Sequence, residues 1–141
     1  MTPEKFRSEL EEKFPFDPTD SQRIWFKEIA SFILSINRNI AFLLKGYAGT
    51  GKTTLIGSLV RQLKSNGYKA VLMAPTGRAA KVMATYSQFQ AFTIHKQIYY
   101  PKPVQSGKMV FQLKPNKYRN TIFIVDEASM IGDDRQQAKL F

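Results

Sequence analysis

The sequence predicts an α/β fold of three layers, in which helices cover both faces of a mainly parallel sheet. Continuous apolar runs, the form of strands that are buried on both faces, occur at 40–44, 70–74 and 121–125. Stretches with helical periodicity separate these runs. Alternating strands and helices require the right-handed crossovers of a parallel sheet, which sets the fold class.

Composition places the chain among ordinary globular proteins. Its 141 residues are 43% apolar and 23% charged, which suits one domain with a core. No apolar run approaches the roughly 20 residues of a membrane span, and the charged N-terminus lacks a secretory signal. We therefore expect a cytoplasmic protein that has no membrane partner. The absence of cysteine and the single histidine, His95, exclude a disulfide scaffold and a zinc site.

The charge balance favours a polyanionic partner. Lysine and arginine number 21 against 11 acidic residues, for a net charge of +10. Such an excess on a small domain points to nucleic acid before a membrane surface, although a basic surface can also serve solubility alone.

Two helices are predicted before the first apolar run. Residues 4–13 form a short charged helix that Pro15 and Pro18 terminate. Thr19 and Gln22 have the spacing of a capping box at the start of a helix over 20–36. Its apolar face is predicted to hold six residues: Ile24, Trp25, Ile29, Phe32, Ile33 and Ile36.

Further elements follow the first apolar run. A helix is predicted from Lys52 to about Ser65, ended by Asn66-Gly67, and another over 77–85. Residues 98–114 break the alternation with two β-rich runs around Gln105-Ser106-Gly107-Lys108. This pattern predicts a β-hairpin inserted between the parallel strands.

A glycine-rich loop carries the clearest chemical signal. The sequence GYAGTGKT at 46–53 fits G-x-x-x-x-G-K-[ST], directly after an apolar run and at the start of a helix. Glycines let successive N–H groups turn towards phosphate oxygens, and the helix adds the positive end of its dipole. We expect Lys52 to reach the β and γ phosphates of a nucleotide and Thr53 to bind Mg²⁺. The cofactors predicted are ATP and Mg²⁺. The residues expected at the nucleotide are Gln22, Gly46, Gly49, Thr50, Gly51, Lys52, Thr53 and Thr54.

The apolar run 121–125 ends in two carboxylates, Asp126 and Glu127. Ligands of open α/β sheets bind at the carboxyl ends of the strands, so Asp126 is expected to hold Mg²⁺ beside Thr53. Glu127 is expected to polarise the attacking water, which makes the reaction hydrolysis. The catalytic residues predicted are thus Lys52, Asp126 and Glu127.

The order of motifs resembles superfamily 1B DNA helicases of the RecD/TraA type, including the small Dda-like ones. The resemblance spans roughly 17–131 and includes the loop form GYAGTGKTT and the sequence DEASM at 126–130. It implies a RecA-like P-loop domain that couples ATP hydrolysis to 5′-to-3′ movement on single-stranded DNA and to unwinding of a duplex junction. It also implies that Gln22 reads adenine, a role that competes with the capping box for one amide. The process that the resemblance implies is DNA repair or recombination, with conjugation and replication left open.

The same resemblance assigns two stretches to the DNA side. APTGRAAK at 74–81 looks like motif Ia and TIHK at 93–96 like the T-x-H element. The residues so implied to bind DNA are Pro75, Thr76, Gly77, Arg78, Lys81, Thr93 and His95. Arg78 and Lys81 also fit solvated helix cations, and His95 fits a structural histidine.

The hairpin at 98–114 falls where these helicases insert domain 1B, whose β-pin separates the strands. Tyr99, Tyr100 and Phe111 either stack on bases or pack across the hairpin. The resemblance also implies a G-D-x-x-Q motif and a second RecA-like domain after 126–130, and neither is found in the 141 residues. Since 132–141 is also polar and has no stop signal, we expect 1–141 to be an incomplete first RecA-like domain without the second one. The fragment is expected to be a monomer that does not unwind alone. Alternatives are a DNA-binding ATPase subunit of a nuclease complex similar to the exodeoxyribonuclease V alpha chain, and a P-loop kinase.

Overall fold

A computed structural model describes residues 1–37 and 39–132. It divides into two compact units, Met1–Asn66 and a second unit that begins at Gly67. The polar stretch predicted to end without a stop signal lies, from residue 133 onwards, outside the described residues. No helix within the described ranges is long and apolar enough to span a bilayer.

The first unit contains three helices: α1 (Pro3–Glu12), α2 (Asp20–Ile33) and α3 (Lys52–Ser65). Thr2 caps α1, and Thr19 and Gln22 form the predicted capping box of α2. The core of this unit is formed by large apolar side chains of all three helices, among them Phe6, Leu10, Trp25, Phe26, Ile29, Leu59 and Leu63.

Polar contacts join α1 to both other helices. Arg23 of α2 pairs with Glu11 at 2.9 Å and with Asp17 at 3.1 Å. Gln62 of α3 is buried, donates to Glu9 Oε2 at 2.6 Å and accepts from Lys13 Nζ at 3.1 Å. The burial of Gln62 is therefore matched by hydrogen bonds at both ends of its amide.

The predicted face of the second helix is partly wrong. The helix ends at Ile33 rather than at 36, and Ile24 and Ile36 are exposed by 63% and 94%. Residues 34–36 leave the helix after Leu34, so Ile36 no longer follows the helical spacing that predicted its burial. Ile24 lies one residue before Trp25, and the buried face runs through Trp25 and Phe26 instead.

The predicted buried strand over 40–44 is also wrong. This segment has no regular secondary structure, and Ile40 and Leu43 are exposed by 39% and 68%. Phe42 packs its ring against Phe32 of α2 with the centroids 5.5 Å apart. A strand needs a neighbouring backbone for its N–H and C=O groups, and no described strand pairs with these residues. The glycine loop therefore follows an irregular segment rather than the strand that was expected.

The second unit is built on a parallel three-stranded sheet in the order β2-β1-β5. Its strands are β1 (Lys69–Ala74), β2 (Ala91–Thr93) and β5 (Thr121–Val125), and β1 pairs in parallel with both neighbours. Helix α4 (Gly77–Ser87) connects β1 to β2, two residues longer than predicted, and the short α5 (Ile94–Ile98) follows β2. The predicted α/β class and parallel sheet are confirmed. Strand β2 was not predicted, because its three residues are too short to show a pattern.

The predicted hairpin is confirmed. Strands β3 (Tyr99–Pro103) and β4 (Met109–Leu113) pair antiparallel, with Pro101 opposite Phe111. The turn is closed by a hydrogen bond from the Val104 N–H to the Lys108 carbonyl, 3.1 Å long. Gly107 has φ of +74°, a conformation that favours glycine. All residues from Tyr100 to Leu113 are exposed, so the hairpin stands away from the sheet core.

Candidate functional site

The glycine loop turns tightly between residue 46 and the start of α3. A Cβ atom on Gly46 would lie 2.7 Å from Thr50 Oγ1, and Gly51 has φ of +83°. The Thr50 hydroxyl closes the turn by donating to the Tyr47 carbonyl at 2.8 Å. The glycines at these positions are therefore required by close approach and by backbone conformation, as the motif predicts.

Gly51 is the N-cap of α3 and offers no side chain to the helix. The N–H groups of the first turn therefore lack a side-chain acceptor, and Thr53 and Thr54 lie in this turn. Uncapped N–H groups and the helix dipole together favour an anion at this end of the helix.

The Lys52 side chain folds back over the loop. Its ammonium group donates to the carbonyl of Gly46 and, at 2.7 Å, to that of Tyr47. Both acceptors are exposed backbone oxygens, so these bonds can be exchanged for stronger charge-assisted ones with a phosphate.

Gln22 lies at the same loop. Its Oε1 accepts from the Thr19 N–H at 3.0 Å, which completes the capping box. Its Nε2 lies 3.0 Å from the position that a Cβ atom on Gly51 would occupy. The carbonyl end of the amide thus serves the capping box, while the NH₂ end lies at the glycine loop.

In the second unit, Asp126 directly follows β5 and extends its ladder through a 3.0 Å bond from its N–H to the Met73 carbonyl. Its Oδ1 accepts from the Glu127 N–H at 2.9 Å, and its Oδ2 accepts from the Tyr86 hydroxyl at 2.7 Å. Glu127 is exposed with φ of +54° and begins a 3₁₀ turn over Ala128–Met130. This places both carboxylates at the carboxyl end of the sheet.

The contact between Tyr86 and Asp126 has no signal in the sequence. Tyr86 lies in the last turn of α4, where helical periodicity gives no sign that it contacts a residue 40 positions later. Burial raises the pKa of Tyr86, and so do the hydrogen bond to Asp126 and the negative charges of Asp126 and Glu127. The tyrosine therefore stays protonated and keeps donating to the carboxylate.

The two stretches expected on the DNA side meet at this same sheet edge. Ala74, the last residue of β1, is in register with Thr93, the last residue of β2. Met73 is likewise in register with Val125, which precedes Asp126. Parallel strands thus bring Pro75, Thr93 and Asp126 to the carboxyl edge of one sheet.

The polar groups of these stretches already have local partners. The Thr76 hydroxyl caps α4 by accepting from the Ala79 N–H at 3.1 Å, and Thr93 caps α5 in the same way with Lys96. Each hydroxyl keeps its own proton to donate. Gly77, Arg78 and Lys81 are exposed in the first turns of α4.

His95 is exposed and packs against the hairpin. Its ring centroid lies 5.4 Å from that of Tyr99 and 6.0 Å from that of Phe111, the latter edge to face. These ring contacts fit the structural role that the sequence also allows for His95. They involve two of the three hairpin aromatics.

The side chains predicted to bind magnesium, Thr53 and Asp126, fit this ion because they offer oxygen ligands. Mg²⁺ prefers carboxylate, hydroxyl, phosphate and water oxygens, and commonly takes only one or two protein ligands beside a nucleotide. The Asp126 carboxylate keeps unused lone pairs on both oxygens. Within the described part of the chain, no three His, Asp or Glu side chains form a cluster that would hold a metal ion by themselves.

Comparison with known proteins gave one family and several relatives. A family described as "AAA domain" matches residues 21–141. The ATP-dependent RecD2 DNA helicase of Deinococcus radiodurans is 31% identical over 116 residues, covering 82% of this chain and 16% of that protein. The ATP-dependent DNA helicase dda of Enterobacteria phage T4 is 30% identical over 127 residues, covering 88% of this chain and 28% of that protein.

A third relative matches a shorter stretch. The ATP-dependent DNA helicase RecG of Mycobacterium leprae is 36% identical over 69 residues, which is 49% of this chain and 9% of that protein. No solved structure matches the chain significantly. The chain spans less than a third of the length of each of these relatives.

Proposed function

Because the chain belongs to the AAA domain family and is of the RecD/Dda helicase type, we propose that it is the ATP-binding part of a longer superfamily 1B DNA helicase. In the whole protein, ATP hydrolysis drives 5′-to-3′ movement along single-stranded DNA and unwinding of a duplex. The chain covers only a small share of each relative, which supports the proposal that the full-length protein is longer.

The observation that carries the proposal is the glycine loop at the uncapped start of α3. Phosphate oxygens accept from the N–H groups of this first turn, and Gly46, Gly49 and Gly51 leave room for them. Lys52 exchanges its loop carbonyls for the β and γ phosphates, where it neutralises charge that grows in the transition state. Thr50 closes the turn, and Thr54 belongs to the same helical turn as Thr53.

Magnesium supplies further neutralisation of the phosphate charge when it is bound. Thr53 and Asp126 are the residues proposed to hold it. Glu127 is the proposed base that orients the water, and Gln22 contacts adenine with the NH₂ end of its amide. The Tyr86 hydroxyl holds the Asp126 carboxylate at a fixed orientation, and so acts as a positioning residue.

The DNA side is proposed at the carboxyl edge of β1 and β2. Backbone N–H groups near Gly77 and the charges of Arg78 and Lys81 are exposed there and suit phosphate contacts. Pro75, Thr76, Thr93 and His95 complete the proposed contact surface. The hairpin over 98–114 is proposed as the pin that separates the duplex.

The proposal is tested by ATP hydrolysis in the full-length protein with and without single-stranded DNA. We expect hydrolysis that the strand stimulates and that requires Mg²⁺. A P-loop kinase would instead transfer phosphate to a small molecule with no response to DNA. Hydrolysis that single-stranded DNA leaves unchanged would contradict a helicase motor and favour a non-motor subunit.

A further inference from the structure

A cleft lies at the base of the hairpin. The residues that line it fall between 92 and 118, so they include neither the glycine loop nor Asp126. The cleft is open to solvent, it is lined by residues of β2, α5, β3 and the segment 114–118 that leads from β4 towards β5, and its volume is about 540 Å³. This is the size of cleft that binds a small organic group. All of its walls belong to the second unit.

Lysines dominate the polar wall of this hairpin-base cleft. Lys96, Lys114 and Lys117 line it, and no acidic residue does. Lys114 is fixed at the base of the hairpin, because its N–H donates to the Ile98 carbonyl at 2.7 Å and its ammonium group to the Lys96 carbonyl at 2.6 Å. An ammonium group has two more protons to donate, so the cleft is electropositive and suits an anion.

Aromatic rings form the remaining wall. Phe92, Tyr100 and Tyr118 line the cleft, and the two tyrosines are exposed by 37% and 44%. The Tyr118 hydroxyl accepts from the Gln97 side chain, and its ring packs edge to face on Phe123 at 5.3 Å. The Tyr118 ring is thus oriented before any ligand arrives, which lowers the entropy cost of stacking on it.

Exposed aromatic faces beside several lysines are the combination that binds single-stranded nucleic acid. Bases stack on the rings, and the cations follow the phosphates. A nucleoside triphosphate fits less well, because the cleft has neither a glycine loop nor the start of a long helix; α5 has five residues.

We propose that the hairpin-base cleft binds one nucleotide of single-stranded DNA, with the base stacked on Tyr118 or Tyr100 and the flanking phosphates held by Lys114 and Lys117. This rests on the proposed function, and it adds a contact surface outside the stretches 74–81 and 93–95 assigned to DNA above. Its position would hold a strand beside the hairpin that is proposed to separate the duplex.

The first test is crosslinking on the unmodified full chain. A dT oligonucleotide carrying 5-iodouracil is irradiated with the protein, and crosslinked peptides are identified by mass spectrometry. We expect crosslinks at Tyr118 or Tyr100. Crosslinks that fall only outside 96–100 and 114–118 would overturn the proposal without any variant having to fold.

The second test is fluorescence anisotropy with a labelled dT oligonucleotide. Tyr118→Leu is expected to weaken binding by between about fivefold and a hundredfold, the range for loss of one stacked base, whereas Tyr118→Phe keeps the ring and stays near wild type. Lys117→Gln is expected to make the slope of log K against log salt shallower by about 0.7, the contribution of one phosphate contact. Lys5→Gln in the first unit is the matched control. Tyr118→Leu with wild-type affinity would overturn the proposal.

These outcomes separate the cleft from the proposed function. If the wild-type chain binds the oligonucleotide and all cleft variants bind it equally, the cleft proposal fails and the helicase proposal stands. If the wild-type chain binds no oligonucleotide, the DNA side of the proposed function fails together with the cleft. Free dTMP is the probe for a mononucleotide site, and dTMP that competes as strongly as the oligonucleotide would overturn a strand-binding cleft.

Discussion

The Tyr86 hydroxyl donates a hydrogen bond to Asp126 Oδ2 across 2.7 Å, joining the last turn of α4 to the carboxyl end of β5. The other carboxylate oxygen is held by the backbone N–H of Glu127. The carboxylate proposed to bind magnesium is thus fixed from two sides before any cation arrives, one of them a side chain 40 residues earlier in the chain.

This bond gives a prediction about pH. The pKa of Tyr86 is raised in the folded chain. The Tyr86–Asp126 hydrogen bond therefore contributes its full stabilisation of the fold below pH of about 10, the ordinary pKa of an unfolded tyrosine, and this contribution is lost as the pH rises further. Tyr86→Phe should lower the free energy of unfolding by about 1 kcal/mol at pH 8. The difference from wild type should shrink above pH 10, as measured by denaturant unfolding at both pH values. Tyr47→Phe, at a side chain that is 89% exposed, is the comparison variant. A difference that stays constant up to pH 11 would contradict the assignment.

Some features of this site follow from the sequence and others do not. The glycine loop and the Asp-Glu pair are local patterns whose residue types are required by backbone geometry and charge, so spacing alone predicts them. Tyr86 cannot be found in this way, because its partner is brought near only when β1 and β5 pair. In the same way, Gln22 is a capping residue by its spacing, and its approach to Gly51 depends on how α2 packs.

The strands show the same limit. Apolar runs predict β1 and β5 because both pair along their length, which satisfies their backbone groups. The run over 40–44 is equally apolar, yet it forms no strand. Composition records that a segment is apolar but not whether a neighbouring backbone is available to it. The hairpin was predictable because its partner strand is only a turn away.

Lys52→Ala should abolish ATP hydrolysis by the full-length protein. The ammonium group donates to two exposed loop carbonyls, so its loss should change the free energy of unfolding by less than about 0.5 kcal/mol. Hydrolysis assays and thermal unfolding of the same preparation check both halves. Lys27→Ala in α2 removes an equal charge as control. Wild-type turnover in the Lys52 variant would end the assignment of the glycine loop.

Binding of single-stranded DNA by this chain should be weak and strongly dependent on salt. The net charge of +10 implies phosphate contacts, each of which contributes about −0.7 to the slope of log K against log salt on a single strand. Titration of two labelled oligonucleotides of different sequence, each at two salt concentrations, measures this slope. Binding that does not respond to salt would refute phosphate contacts. A clear preference for one sequence would contradict binding without base readout.

Gln62→Ala should destabilise the first unit by about 2 kcal/mol, because it leaves a cavity and removes two hydrogen bonds between α1 and α3. The Gln62 amide is the main cause that lowers the pKa of Glu9. A carboxylate with a lowered pKa stabilises the fold above about pH 4.3, and this is lost as the pH falls. The difference in the free energy of unfolding between variant and wild type should therefore become smaller in acid. Gln112→Ala on the exposed strand β4 should show neither effect.

Deleting 99–112 in the full-length protein tests the pin. The hairpin has its own antiparallel ladder and an exposed surface, and it contributes no residue to the three-stranded sheet. Its removal should therefore spare ATP hydrolysis and its stimulation by single-stranded DNA, because the glycine loop and Asp126 lie outside the deleted range. Duplex unwinding should be lost, because the hairpin proposed to separate the strands is removed. A strand-displacement assay beside a hydrolysis assay measures both activities. Full unwinding by the deletion variant would refute the pin, and loss of both activities would assign the hairpin to the core, through the rings of Tyr99 and Phe111 that pack on His95.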